Sequence, residues 1–369
     1  MIYILISLLA SQFALDTRFP EPAQLPIVKE MPDPLVALDG TPVQTAEAWG
    51  KRREEIKEML LYYEYGHAPA APENLRVEGI SSETVFDGTA TLERFTLIMG
   101  PEDKLLMEAA VYVPAGEGKK PVLLAIEPVW DDDLKAAAQQ AVQRGYLFAG
   151  YRKQDLDPDD EDRTNGVHPL YPDYDWATLA AWAWGASRVV DYLYTRADVD
   201  TGQIALTGHS RAGKSAMLAS ALDERITLVA PHGSGAGGAG SFRQCPQGAE
   251  SLNMITLPKR FHYWFHPRLR DFAKQEDRLP FDQHFLRALI APRVIVSMDG
   301  LEDYWANPSG TKLMWTAAQP VFDLLSVPDH NAMHFRPGGH DYIDADWTVL
   351  LDYCDHFFFG KPRPADTSK

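Results

Sequence analysis

The chain has 369 residues, 45% of them hydrophobic, with 9 Trp, 15 Tyr and 16 Phe, enough apolar material for a large core. Its formal net charge of −17 argues against nucleic acid or an anionic membrane surface as partner. Only two cysteines occur, Cys245 and Cys354, and no spacing suggests a metal site, so free thiols and a chain without metal or cofactor are expected.

Residues 2–10 form an apolar run too short to span a bilayer. It reads as the core of a signal peptide over 1–14, cleaved after Ala10 or Ala14, although no Lys or Arg precedes it. A secreted or periplasmic protein with one domain over 15–369 is therefore expected. Residues 16–43, rich in Pro and acidic side chains, should wrap the surface. Thr45 is placed to cap a helix running to about Tyr62, with Trp49, Ile56 and Leu60 on one face. Three extended runs follow at 75–85, 90–99 and 105–113, and their alternation predicts an antiparallel lead-in to a sheet.

The rhythm then changes to strand and helix in turn. Strands are expected at 121–126, 146–151, 204–207, 226–230, 293–298 and 332–336, with helices at 134–143, 176–194, 211–221, 311–325 and 346–358. Alternation of this kind implies a mostly parallel sheet with helices on both faces, a three-layer sandwich. The acidic run 155–162 lacks the spaced ligands and glycine of a calcium loop and is expected to be a solvated loop. Trp176, Trp182 and Trp184 are expected in the core, His284 as a buried, hydrogen-bonded histidine, and His334 behind the site.

In such a sheet, chemistry sits beyond the carboxyl ends of the strands. Three candidates do. Ser210 lies between a short strand and a helix, with Gly208 before it and Gly213 after it. That is the context of a nucleophile elbow, although the second glycine comes one place later than in G-x-S-x-G. The loop 299–308 follows another strand and carries Glu302, Asp303 and Trp305, and Arg336-Pro-Gly-Gly-His340 follows the last. A serine hydroxyl needs an imidazole to take its proton and a carboxylate to orient that imidazole. The order Ser, acid, His is that of an α/β-hydrolase fold, with Ser210, an acid of the 299–308 loop and His340 as the triad.

Gly208-His-Ser-Arg-Ala-Gly-Lys214 resembles the G-C-S-R-x-G-K elbow of glucuronoyl esterases, carbohydrate esterase family 15, with His209 where that family usually has cysteine. Weaker likenesses follow in the family's order, among them Asn165-Gly-Val-His-Pro-Leu170, Leu279-Pro-Phe-Asp-Gln-His284 and Trp305-Ala-Asn-Pro308. The resemblance runs from about Trp49 to the end. It implies a serine esterase cleaving esters of 4-O-methyl-glucuronate, as in glucuronoxylan–lignin linkages, through an acyl-enzyme. It also implies that Arg211 helps form the oxyanion hole and that Lys214, Trp305 and Glu250 bind the sugar. Two cations in the first turn of a helix oppose its dipole, which itself favours a functional reason for Arg211 and Lys214.

One departure stands out. Many family members carry the triad acid as Glu after the strand that follows the elbow, where this chain has Gly233. Asp303, one strand later, is the expected substitute and Glu302 its fallback. A carbohydrate acetyl esterase, a broad carboxylesterase and a non-catalytic sugar-binding relative are the alternative readings. A monomer is expected.

Overall fold

The structure, a computed structural model, describes residues 19–365. The export segment expected at 1–14 lies outside them. Helix α1 (Ala46–Leu60) begins where the Thr45 hydroxyl accepts a hydrogen bond from the Ala48 N–H, and it buries Trp49, Ile56 and Leu60 together. The α-helix stops short of Tyr62 because the chain widens into a single π turn, Leu61–Tyr65, which turns Tyr63, Glu64 and Tyr65 into the core.

Strands β1 (Arg76–Val85), β2 (Ala90–Met99) and β3 (Leu105–Pro114) pair antiparallel in succession. The register of β2 on β3 is unbroken, from Ala90 opposite Pro114 to Met99 opposite Leu105. There follow β4 (Lys120–Ala125), α2 (Lys135–Gln143), β5 (Leu147–Tyr151), α3 (Thr178–Leu193), β6 (Val199–His209), α4 (Arg211–Leu222) and β7 (Leu228–His232). Two short helical turns, α5 (Leu252–Ile255) and α6 (His284–Ala288), precede β8 (Val294–Gly300), α7 (Pro308–Leu324), β9 (Asn331–Arg336) and α8 (Asp344–Phe359). Neither short turn is long enough for an apolar period to repeat, which is why the sequence pattern does not reveal them.

Among the described residues one sheet holds all nine strands in the order β1-β2-β3-β5-β4-β6-β7-β8-β9. Pairing is antiparallel through β3–β5 and parallel from β5–β4 to β8–β9. The strands in the middle are buried on both faces. Val122 and Leu124 of β4 join the core under α1, α3 and α4, while Leu123 and Ala125 join the core under α2 and α8. This is the α/β-hydrolase architecture, and it brings the carboxyl ends of β6, β7, β8 and β9 side by side. Trp176 and Trp182 are wholly buried and Trp184 nearly so, which makes them core rather than a sugar platform. Cys245 and Cys354 are free thiols.

Candidate active site

Ser210 sits between the end of β6 and the start of α4 with φ 55° and ψ −121°. A side chain is rarely held in that region, which costs on the order of 1–3 kcal/mol and persists only where the surroundings enforce it. Here the Ser210 N–H donates to the His232 carbonyl of β7 at 2.8 Å, and no room is left around the turn. A Cβ on Gly208 would run into the Ala212 carbonyl, and one on Gly213 would lie 2.9 Å from the Gly208 oxygen and 3.0 Å from Ser234 Cβ. The helix starts so abruptly that the tight approach falls on residue 213. Ala212 is therefore tolerated, and the second glycine stands one place late.

His340 follows β9 across the turn Pro337-Gly-Gly339, and its Nδ1 lies 2.6 Å from Asp303 Oδ2. The other oxygen of Asp303 accepts the Ala306 N–H at 3.1 Å, and the carboxylate is 2% exposed against 38% for His340. The hydrogen bond to Asp303 raises the His340 imidazole above its ordinary range. Burial pushes the Asp303 carboxyl up, but the bonds from His340 and Ala306 outweigh it and hold the group below the usual carboxylate range. Glu302 turns the other way. Its carboxylate accepts the Gly338 N–H and its own N–H donates to the Gly338 carbonyl at 3.0 Å, so it clasps the loop that carries His340. Gly233 stands opposite, at φ +53°, where a Cβ would lie 3.2 Å from His340 Nδ1 and 3.4 Å from Asp303 Oδ2.

The two cations of the first turn of α4 are each neutralised from elsewhere. Arg211 pairs with Asp159, which also accepts from Trp264 Nε1 at 2.7 Å and from the Tyr263 hydroxyl at 3.1 Å. The guanidinium carbon lies 4.9 Å from the centre of the Trp264 ring, and the side chain is 39% exposed. Lys214 is buried, and its ammonium donates to the Ser234 carbonyl at 2.7 Å, the Ala236 carbonyl at 2.5 Å and Glu250 Oε2 at 2.6 Å. All three of its protons are thus committed within the protein. Burial lowers the Lys214 ammonium from its ordinary range despite the Glu250 carboxylate beside it. The Glu250 N–H donates to the Trp305 carbonyl at 2.9 Å, which joins the loop after β7 to the loop after β8, and the half-buried Trp305 ring lies under Arg260 at 5.3 Å.

The run 155–162 is solvated as expected only at 160–162; its first half is engaged within the protein. Asp155 accepts the Glu108 N–H at 2.8 Å, buried Asp157 lies 3.1 Å from His168 Nε2 and accepts Trp182 Nε1 on its carbonyl at 2.8 Å, and Asp159 holds Arg211. These carboxylates are spent on positioning, and nothing in the composition of the run separates that from solvation. His284 is buried as expected, its Nε2 lying 2.8 Å from the Pro32 carbonyl.

Two further histidines belong to the site and were not singled out for it by the residue pattern. His209 precedes the serine, and its ring packs on His340 at 4.6 Å and on His232 at 5.3 Å, with its Nε2 2.6 Å from the His340 carbonyl. His232, fully buried at the end of β7, stacks on Tyr342 at 4.2 Å and lies 3.2 Å from Asp346 Oδ2, which Arg336 also holds at 2.7 Å by its other oxygen. The elbow supplies the only signal that could have pointed to His209, a bulky polar residue beside the nucleophile. Among the described residues no group of three His, Cys, Asp or Glu side chains converges to hold a metal ion, and no helix is long and apolar enough to cross a membrane.

Comparison with known proteins identifies the family. Residues 98–326 match the sequence model of the family described as glucuronyl esterase, fungi. A carbohydrate esterase from an unknown prokaryotic organism is 31% identical over 89% of this chain and 90% of its own length. The solved structure of a glucuronoyl esterase from Solibacter usitatus superposes with a TM-score of 0.79 at 29% identity, covering 90% of this chain and 99% of that one. A glucuronoyl esterase from Sporotrichum thermophile, solved in complex with methyl 4-O-methyl-β-D-glucopyranuronate, superposes with a TM-score of 0.73 at 25% identity, over 92% and 90% of the two chains.

Proposed function

The chain belongs to the glucuronoyl esterase family and is a carboxylic ester hydrolase; on that footing we propose that it cleaves esters of glucuronate and 4-O-methyl-glucuronate through an acyl-enzyme on Ser210. The observation that carries the mechanism is the His340–Asp303 bond at 2.6 Å, with a serine held at φ 55° next to His209, whose ring packs on that imidazole at 4.6 Å. In this reading Ser210 Oγ attacks the ester carbonyl and its proton passes to His340 Nε2. Asp303 fixes the Nδ1–H tautomer and stabilises the imidazolium that forms. The oxyanion meets the Arg211 N–H, one of the first-turn donors with no partner inside α4, together with the Arg211 guanidinium that Asp159 holds at the rim. Collapse expels the alcohol, which takes the proton from His340, and water then repeats the sequence on the acyl-enzyme.

The sugar is assigned to the side of the cleft bounded by Glu250 and Trp305. Lys214 acts there through Glu250: it occupies Oε2, so Oε1 is the oxygen left to accept a sugar hydroxyl. A neutral ester suits a protein of net charge −17, because the acyl group becomes anionic only on release. The polymeric substrate, glucuronoxylan joined to lignin alcohols, fits the export expected from residues 1–14, and the enzyme is taken to act as a monomer.

Turnover of benzyl glucuronate tests the reading. Ser210→Ala should lower kcat by on the order of 10⁴–10⁶-fold with no response to EDTA in the wild type. Activity surviving in that variant, or lost with the chelator, overturns it. Trp305→Ala should harm benzyl glucuronate more than 4-nitrophenyl acetate; equal damage to both would instead indicate a broad carboxylesterase.

A further inference from the structure

The turn that presents His340 is braced from within by Arg336, whose guanidinium donates to the Pro337 carbonyl at 2.9 Å and to the Asp341 carbonyl. Gly338 stands at φ +108° and Gly339 beside it meets nothing within reach of a Cβ. From the β8 side the turn is held at residues 336 and 338, by Leu301 N–H on the Arg336 carbonyl at 2.8 Å and by the two bonds between Glu302 and Gly338. Those holds act on the backbone two residues before His340, while Asp303 holds the imidazole itself at Nδ1. The carbonyl of His340 itself is met from the opposite side, by the side chain next to the nucleophile: His209 Nε2 lies 2.6 Å from it, with the two rings 4.6 Å apart.

Resting on the esterase reading, we infer that His209 is a positioning residue that ties the backbone of the general base to the elbow, so that Ser210 and His340 move as one unit. A carbonyl can only accept, so the bond requires the proton on His209 Nε2, the Nε2–H tautomer. His209 is placed to act because β6 and β7 pair it with His232, whose ring and that of Tyr342 pack on its imidazole at 5.3 and 5.9 Å. Burial and the neighbouring His232 and His340 lower its pKa to about 4, so the ring stays neutral and the donor persists through the neutral range. The groups facing His340 from the packed elements are Asp303, His209, Glu250 and Lys214, with His232 behind His209. Since His209 is uncharged, its removal changes the titration of His340 through geometry and not through charge.

The design compares His209→Ala, His209→Asn and His209→Gln. The Gln amide nitrogen stands as many bonds from Cα as Nε2 does, and that of Asn one bond fewer. On benzyl glucuronate, Ala and Asn should lower kcat by on the order of 10- to 100-fold, the loss expected for a displacement of about 1 Å, with KM within about threefold. Their acid limb of kcat/KM should move to lower pH as His340 drifts from Asp303, and Gln should restore both. Should Ala fail to fold, the contrast of Asn with Gln decides. The second readout needs no substrate: the downfield proton resonance of the His340–Asp303 bond should be sharp in wild type and Gln and lost in Asn. If the wild type cleaves no glucuronate ester, the esterase reading fails and this resonance alone judges the tether. Gln falling with Asn and Ala, or all three variants keeping wild-type kcat and acid limb while losing only thermal stability, would overturn the inference and leave His209 as packing.

Discussion

Strands β7 and β8 lie side by side, and the loops that leave them face the same imidazole with opposite compositions. The loop after β7, 233–240, consists of Gly, Ala and Ser alone. It works through its backbone, giving the Ser234 and Ala236 carbonyls to Lys214. The loop after β8 works through side chains: Asp303 on His340, Glu302 on the turn below it and Trp305 at the rim. Neighbouring strands are only about 4.8 Å apart, so a carboxylate can reach His340 from either. The space beside Nδ1 holds one group, however. A Cβ on Gly233 would already lie 3.4 Å from Asp303 Oδ2. An acid on one loop therefore leaves no place for a second on the other.

Three substitutions break or sharpen that contrast. Asp303→Asn removes the acid while keeping its shape, and kcat on benzyl glucuronate should fall by roughly 10²–10⁴-fold with an unchanged circular dichroism spectrum. Asp303 raises the pKa of His340 in the wild type. The base must be neutral to act, so the acid limb of wild-type kcat/KM should lie above the ordinary imidazole value of about 6.5. In the variant it should drop toward or below that value, and a limb that stays put would show that Asp303 does not partner the base.

Placing Glu at 233 in that Asn background asks whether the acid can be moved back to β7. Since φ is +53° there, the side chain is strained by on the order of 1–2 kcal/mol before any contact is counted. The double variant should be less stable than Asp303→Asn by that order in a denaturant melt and regain little of the lost kcat. Recovery to near wild type would mean that the turn relaxes freely and that the two loops are interchangeable. Glu302→Gln should have the smallest effect, a few-fold at most on kcat, because its amide can still accept the Gly338 N–H as a neutral group. A collapse as large as that of Asp303→Asn would transfer the triad role to Glu302.

How much of this was legible follows from how far each interaction reaches along the chain. The strands and long helices were, because alternation and the helical period are local, and all nine strands were anticipated with their ends shifted by a few residues at most except β6, whose earlier half, from Val199, was not read. The elbow was legible too: Gly208 answers to Ala212 and Gly213 to Gly208, contacts local in the chain, although Gly213 also meets Ser234 beyond β7. Which of two adjacent acids meets His340 was legible only as a choice, since neighbouring loop side chains diverge in directions that packing sets.

By itself, then, the sequence determined the layered α/β architecture, the order of the strands' chemistry and the residue types at the site, all of which rest on period, turn chemistry and chain order. Only the tertiary structure decided what those residues do to one another. It paired Arg211 with Asp159, 52 residues away, committed the three protons of Lys214, put Gly233 in the left-handed region and laid His209 against the His340 carbonyl. Each of those depends on distances of a few ångströms between elements that meet only after the sheet has assembled, and hydrogen bonds and ion pairs in a buried site are decided at that scale.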